Sequence, residues 1–187
     1  GEILFIVGGN GSGKSTLMKV FTRLYEPESG GILWDDTSVE SNNVTDYRTL
    51  FSSVFSDFHL FDRLYGLPEI EEKVVNDMLG DLDIAHKTQY RDGAFTNTNL
   101  STGQRKRLAL AVALLENRPI LLLDELGADQ DPEFRKRFYN ELIPGWKKEG
   151  RTLVIVSHED QYFHVADRTI VLSDGQTAIQ RQNGATS

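Results

Sequence analysis

The sequence predicts an α/β fold: a mostly parallel sheet covered by helices and interrupted by a helical insertion. Three observations lead there. Short β-rich runs at residues 3–7, 120–123 and 153–156 are apolar throughout, as in parallel strands buried on both faces. Helical spacing fills the stretches between them. Between about residues 60 and 116 the β pattern gives way to a helical one.

Taken in order, the run at 3–7 is a strand, followed at once by a glycine-rich loop and a helix from Lys14 to about Leu24. Residues 25–30 read as a turn, 31–34 as another strand and 51–55 as a further short one. Residues 69–82 are amphipathic, with Ile70, Val74, Val75, Met78 and Leu79 at helical spacing. Residues 85–88 suggest a second helix, and 90–99 a polar loop. Leu and Ala make 102–115 a strong helix. After the strand at 120–123, Asp131 and Pro132 form an N-cap with proline at the first helical position, opening a helix to about Leu142. Strands follow at 153–156 and 169–172, and Asp174-Gly175 signals a hairpin turn before 177–179.

The bulk properties bound the function. A chain of 187 residues suits one domain with a genuine core. A net charge of −8 argues against a nucleic-acid surface, so no nucleic-acid partner is expected. The absence of cysteine removes disulfides and thiolate metal sites. The longest apolar run, 108–115, is far short of the roughly 20 residues a membrane helix needs, and no signal peptide is visible. Because the chain opens at Gly1 directly on a strand pattern, it reads as part of a longer polypeptide.

The pattern GxxxxGK[ST] is filled by Gly8, Gly13, Lys14 and Ser15 between a strand and a helix. Glycines let successive N–H groups of Asn10, Gly11, Ser12 and Gly13 converge on phosphate oxygens, and the helix N-terminus adds positive potential. Lys14 is expected to reach the β- and γ-phosphates, Ser15 to ligate Mg²⁺, and Thr16 to meet the α-phosphate. At the end of the strand 120–123, Asp124 is a Mg²⁺ ligand candidate and Glu125 the candidate general base for an attacking water. No His, Cys and carboxylate set has metal-ligand spacing, so the metal is expected to arrive with ATP.

The segment Leu100-Ser101-Thr102-Gly103-Gln104 opens the helix 102–115. Its Ser101 hydroxyl and Gly103 amide form an anion site at a helix start. Arg105, Lys106 and Arg107 oppose the helix dipole there. A polyanion docking nearby accounts for that conflict; solvated charges on an exposed face account for it equally.

Phosphate loop, LSTGQ segment and Asp-Glu after an apolar strand, in this order, resemble the ATP-binding cassette (ABC) family, a P-loop NTPase with a RecA-like core and an inserted α-helical signature subdomain. The resemblance covers nearly the whole chain. It implies a single ABC ATPase domain over 1–187, with 1–59 and 117–187 as ATP-binding core and 60–116 as helical subdomain. It further implies that His158, after the strand 153–156, contacts the γ-phosphate and attacking water. Asp131 matches the acidic D-loop residue that crosses a dimer interface, besides serving as an N-cap. Ser101, Gly103 and Gln104 would close over ATP held by a second copy. Two departures stand out: Ser56 takes the place of the Q-loop glutamine, with a water or Asp57 as substitutes toward the metal, and Leu126-Gly127-Ala128 follows Glu125.

These departures are similar to the cyclic-peptide and siderophore (pyoverdine-type) exporter branch. That branch implies an ATP hydrolase on the cytoplasmic face of the bacterial inner membrane, with a transmembrane domain ahead of it on the same polypeptide. Phe58, Leu60 and Phe61 would then receive a membrane-domain helix or pack the helical insertion. The adenine-stacking residue would lie upstream of Gly1. The alternatives are a soluble cassette ATPase acting on ribosomes or DNA, against which the acidic balance and the lack of a coiled-coil insertion count, and a nucleotide sensor without hydrolysis.

Overall fold

The computed structural model of the protein describes residues 1–173 and 175–182, the last five as backbone only. Its centre is a six-stranded sheet. Strands β1 (Ile3–Gly8), β4 (Phe51–Val54), β7 (Ile120–Asp124), β8 (Thr152–Val156), β9 (Arg168–Ser173) and β10 (Gln176–Gln182) lie in the order β10-β9-β1-β8-β7-β4. All neighbours are parallel except the antiparallel pair β9 and β10. Asp174 of the expected hairpin turn lies outside the described residues.

Unbroken apolar runs make sense because each central strand serves two cores. Leu121 and Leu123 of β7 face one cluster with Phe5, Leu153 and Ile155, while Leu122 faces the other with Ile6, Val154 and Val156. The second cluster is closed by Met18 of α1 (Lys14–Phe21), by Phe51, and by Tyr47 of α2 (Val44–Arg48). The first is closed by Leu108, Leu110 and Leu114 of α4 (Thr102–Leu115) and by Phe138, Tyr139 and Trp146. Amphipathic α3 (Glu72–Asp81) buries Val75 and Leu79 beside α4. No helix among the described residues is long and apolar enough to cross a membrane.

Several elements differ from the sequence-based expectation. The strand expected at 31–34 is shortened to β2 (Leu33–Trp34), which pairs with β3 (Thr37–Ser38) in a separate small sheet. Helix α1 stops at Phe21, where Thr22 returns its hydroxyl to the Met18 carbonyl. Residues 85–88 are a turn, not a helix: left-handed Asp83 (φ 55°) ends α3, and buried Ile84 plugs the core. The expected polar loop at 90–99 contains a hairpin of β5 (Tyr90–Arg91) and β6 (Ala94–Phe95). Its Asp92-Gly93 turn has both residues at positive φ, the geometry for which that dipeptide is the strongest short signal. Asn76 pins it to α3 by bonding both the amide and the carbonyl of Tyr90.

The helix from Pro132 also runs further than expected. After α5 (Pro132–Arg137) comes one π-helical turn (Phe138–Leu142), then α6 (Ile143–Lys148). Pro144 cannot donate to a continuing α ladder; the wider turn before it, with Pro144 falling in the first turn of α6, lets the chain stay helical.

Candidate functional site

The carboxyl ends of β1 and β7 sit on the same edge of the sheet, because both strands run parallel to β8 between them. That edge is where open α/β sheets bind ligands. A cavity of about 490 Å³ opens there, lined by Asn10, Gly11, Gly13, Lys14, Ser15, Thr16 and Glu125. Residues from the phosphate loop and from the end of β7 thus share one cleft.

The loop itself is built for an anion. Gly13 caps α1 at φ 95°, a left-handed conformation that favours glycine, and offers no side chain to the free N–H groups. No acidic residue occupies the first turn. Lys14 is buried and donates to the Gly8 carbonyl at 3.0 Å and the Gly9 carbonyl at 2.9 Å. The ammonium is held over the cradle by two neutral acceptors that charged phosphate oxygens outcompete. Ser12 is buried, whereas Asn10, Gly11 and Thr16 are exposed.

At the end of β7, Asp124 is 1% exposed. Its Oδ2 accepts from the Ser56 hydroxyl at 3.0 Å and the Ser56 amide at 3.4 Å, while its Oδ1 has no hydrogen-bond partner. A buried carboxylate oxygen left unpaired is costly, and a hard cation or its water is the partner it suits. Serine is too short to reach a metal as glutamine does, yet it orients the carboxylate that can. Asp57 is turned to Lys19 at 2.7 Å, and that bond holds its carboxyl below the usual range.

Glu125 carries its carboxylate at the cavity, with Oε1 3.0 Å from His158 Nε2. His158 is positioned by its neighbour. The Ser157 hydroxyl lies 2.9 Å from that of Tyr139 and accepts the Glu159 amide at 3.0 Å. Burial pushes the Tyr139 phenol up to about 12, so it remains a neutral partner there. Tyr139 also explains Gly127, where an added Cβ would lie 2.5 Å from the tyrosine oxygen. The sequence reading missed Tyr139 and the reason for Gly127, because their contact joins residues on separate elements.

Ser101, Gly103, Gln104 and Asp131 stand outside the cavity lining. Ser101 and Gln104 form a reciprocal capping box, Ser101 Oγ accepting from the Gln104 amide and Gln104 Oε1 from the Ser101 amide. The cap uses the acceptor side of the Ser101 hydroxyl and leaves its proton to donate elsewhere. Gly103 is required by close approach, since a Cβ would lie 2.4 Å from the Asp129 carbonyl oxygen. Thr102 is exposed in the first turn of α4, where a side chain does no harm.

Both explanations of the cations at 105–107 need correction. Only Arg105 is exposed. Lys106 is buried and donates to the Glu125 carbonyl at 2.7 Å and to Asp129 at 2.6 Å. Buried Arg107 bonds Gln130 at 2.8 Å, pairs with Asp131 and Asp83, and lies 3.7 Å over the Phe134 ring. These two cations tie α4 to the loop after β7 instead of meeting solvent or a docked polyanion. Asp131 caps α5 by accepting the Phe134 amide at 2.9 Å; that bond, with Arg107, holds its carboxyl below the usual range. The conflict of cations with the helix dipole was the signal that could have pointed to Lys106 and Arg107.

The sequence and the fold agree with known proteins. The family profile described as "ABC transporter" matches residues 1–128. The chain is 52% identical over 179 residues to ATP-binding protein SyrD of Pseudomonas syringae pv. syringae, covering 94% of this chain and 32% of that protein. It is 30% identical to an ATP-dependent lipid A-core flippase of Aliivibrio fischeri, covering 99% of this chain and 34% of the flippase. The chain therefore spans about a third of the length of these relatives. A bacterial Atm1-family ABC exporter with ATP bound superposes with a TM-score of 0.83 at 26% identity, over 97% of this chain and 34% of that one. The ATP-binding cassette MJ0796, solved as a dimer in a post-hydrolysis state with ADP and Pi, gives 0.81 at 25% identity, over 99% and 87%. With its phosphate-loop cleft, its Asp124-Glu125 strand end and its capped LSTGQ helix, the chain belongs to the ABC transporter family.

Proposed function

We propose that this chain binds and hydrolyses ATP to power an ABC exporter of a cyclic peptide or siderophore, with two copies sandwiching two ATP molecules. The observation that carries hydrolysis is Glu125. Its carboxylate stands in the same cleft as Lys14 and the loop amides and is steadied by His158 at 3.0 Å.

In this reading the N–H groups from Asn10 to Thr16 and the start of α1 bind the phosphates. Lys14 exchanges the Gly8 and Gly9 carbonyls for phosphate oxygens. Ser15 and Asp124 would hold Mg²⁺, with Ser56 fixing the Asp124 carboxylate through Oδ2 and leaving Oδ1 without a protein partner. Mg²⁺ arriving with ATP would supply neutralisation of the phosphate charge there. Glu125 orients the attacking water and accepts its proton, and His158 holds the Glu125 carboxylate and contacts the γ-phosphate. Ser101, Gly103, Gln104 and Asp131 serve the nucleotide of the second copy, so a single chain hydrolyses ATP poorly.

Residues 1–59 and 117–187 are the ATP-binding core of this unit, and 60–116 its helical subdomain. The exporter assignment is supported by the flippase and Atm1-family relatives, which implies a transmembrane domain on the same polypeptide and a place on the cytoplasmic face of the inner membrane. A cavity of about 230 Å³ beside Ser53 and Val54 suits a helix of that domain. Phe61 and Tyr65, 57% and 65% exposed, rim it, and Phe58 and Leu60 line it while also packing against the core. Glu125→Gln is the test of hydrolysis: turnover is expected to fall by roughly 10²–10⁴-fold while ATP binding persists and dimers accumulate. Unchanged turnover would reject Glu125 as the base.

A further inference from the structure

Among the residues lining the phosphate-loop cavity, Glu125 is the non-glycine residue with a left-handed backbone, at φ 52°. A glutamate is held there only when its surroundings over-determine it. Its amide donates to the Val156 carbonyl at 3.1 Å, anchoring one side to β8. Its carbonyl accepts the Ala128 amide at 3.3 Å, a local turn contact, and the Lys106 ammonium at 2.7 Å. Lys106 is therefore the contact that reaches the Glu125 carbonyl from another element, the first turns of α4.

The Lys106 side chain is only 8% exposed, so its charge needs partners; the second is Asp129 Oδ2 at 2.6 Å. Two further contacts join the same pieces. The Asp129 carbonyl presses on Gly103, and Gln130 Nε2 donates to the Gly103 carbonyl at 3.2 Å. The start of α4 and residues 125–130 are thus packed as one body.

We infer that Lys106 is a positioning residue for the hydrolysis proposed above: its ammonium lets the signature helix set the backbone of Glu125. This inference rests on Glu125 being the base. The consequence is a short path between two ATP sites. When a second copy's nucleotide draws on Ser101 and Gly103, the displacement of α4 passes through Lys106 to the base that serves this chain's own nucleotide.

The test uses the complete polypeptide with Lys106→Met, Lys106→Arg and Glu125→Gln. Lys106→Met is expected to lower kcat by roughly ten- to a hundredfold, as for a misplaced catalytic group. The KM for ATP stays within about twofold, and amide hydrogen exchange quickens across 124–131. Lys106→Arg, which keeps the donor, recovers most of kcat. Wild-type kcat and exchange in Lys106→Met overturn the inference. So does an equal loss in both Lys106 variants with faster exchange throughout α4, which marks a purely structural role. If Lys106→Met does not fold, Lys106→Gln, an amide donor of shorter reach, replaces it under the same criteria. Glu125→Gln separates the two readings. If it abolishes turnover while Lys106→Met is unimpaired, only this inference fails; if it leaves turnover intact, the hydrolysis reading fails and this inference with it.

Discussion

Two helices of this chain begin at segments we propose to meet phosphate, and they begin in opposite ways. Helix α1 starts from Gly13 with no side-chain cap and no acidic residue in its first turn, so its leading amides stay open. Helix α4 starts from Ser101 with both halves of a capping box satisfied, and its first turns are tied by Lys106 and Arg107 to acidic partners. The first gathers its open amides and the Lys14 ammonium within one short stretch of the chain. The second has its Ser101 and Gln104 groups engaged in the cap, and the Ser101 hydroxyl proton and the helix start are what the proposed trans role would use first. The difference is one between a ligand-binding end and a docking end. It fits a protein in which ATP is held by one surface and clamped by another.

The comparison can be broken most directly at α1. Lys14→Ala removes the cation from the open end and is expected to weaken ATP binding by about a hundredfold or more, the scale of lost charge-assisted hydrogen bonds in a partly desolvated site. Calorimetry on the complete polypeptide reads it. Wild-type affinity would mean that the phosphates bind elsewhere.

A smaller and different effect is expected at α4. Gly103→Ala drives a methyl to 2.4 Å from the Asp129 carbonyl oxygen, so the signature turn or the loop after β7 must shift, at about 1–3 kcal/mol. Thermal unfolding should record the loss, and steady-state hydrolysis should fall while nucleotide affinity at the open end is kept. Loss of nucleotide affinity with hydrolysis preserved would reverse the roles given to the two helices.

The smallest effect is expected one residue earlier. Thr102→Gly removes a side chain at a position where the structure asks for none in particular, since Thr102 is exposed and helical. Stability should change by no more than about 1 kcal/mol, the cost of glycine in a helix, with ATP turnover near the parent value. A large gain in turnover would show that the threonine side chain obstructs the second nucleotide.

The open end was the more legible of the two, for a physical reason. The phosphate loop is a local device: strand, glycines, lysine and helix follow one another, and spacing alone dictates where the amides point. Asp124 and Glu125 were readable because they end an apolar strand whose burial on both faces shows in its composition. The hairpin at 90–95 was equally local, and its Asp92-Gly93 signal stood in the sequence unread. The cations at 105–107 could not be resolved in this way. Their partners Glu125, Asp129, Gln130 and Asp131 come from the far side of β7, and only chain reversal brings them to α4.

What the sequence by itself determined is therefore the inventory and the order of the chemistry: an α/β sheet, a glycine-rich loop between strand and helix, a carboxylate pair, a histidine and a helix opened by the LSTGQ segment. These depend on periodicity, capping and backbone freedom, which act over a few residues. Only the tertiary structure decided which groups are spoken for. It turned Ser56 onto Asp124, sent Asp57 to Lys19, placed Tyr139 beneath Gly127 and buried Lys106 on the backbone of Glu125. Side-chain charges and hydroxyls are satisfied by whatever the fold brings near, and that proximity is set by packing across the sheet.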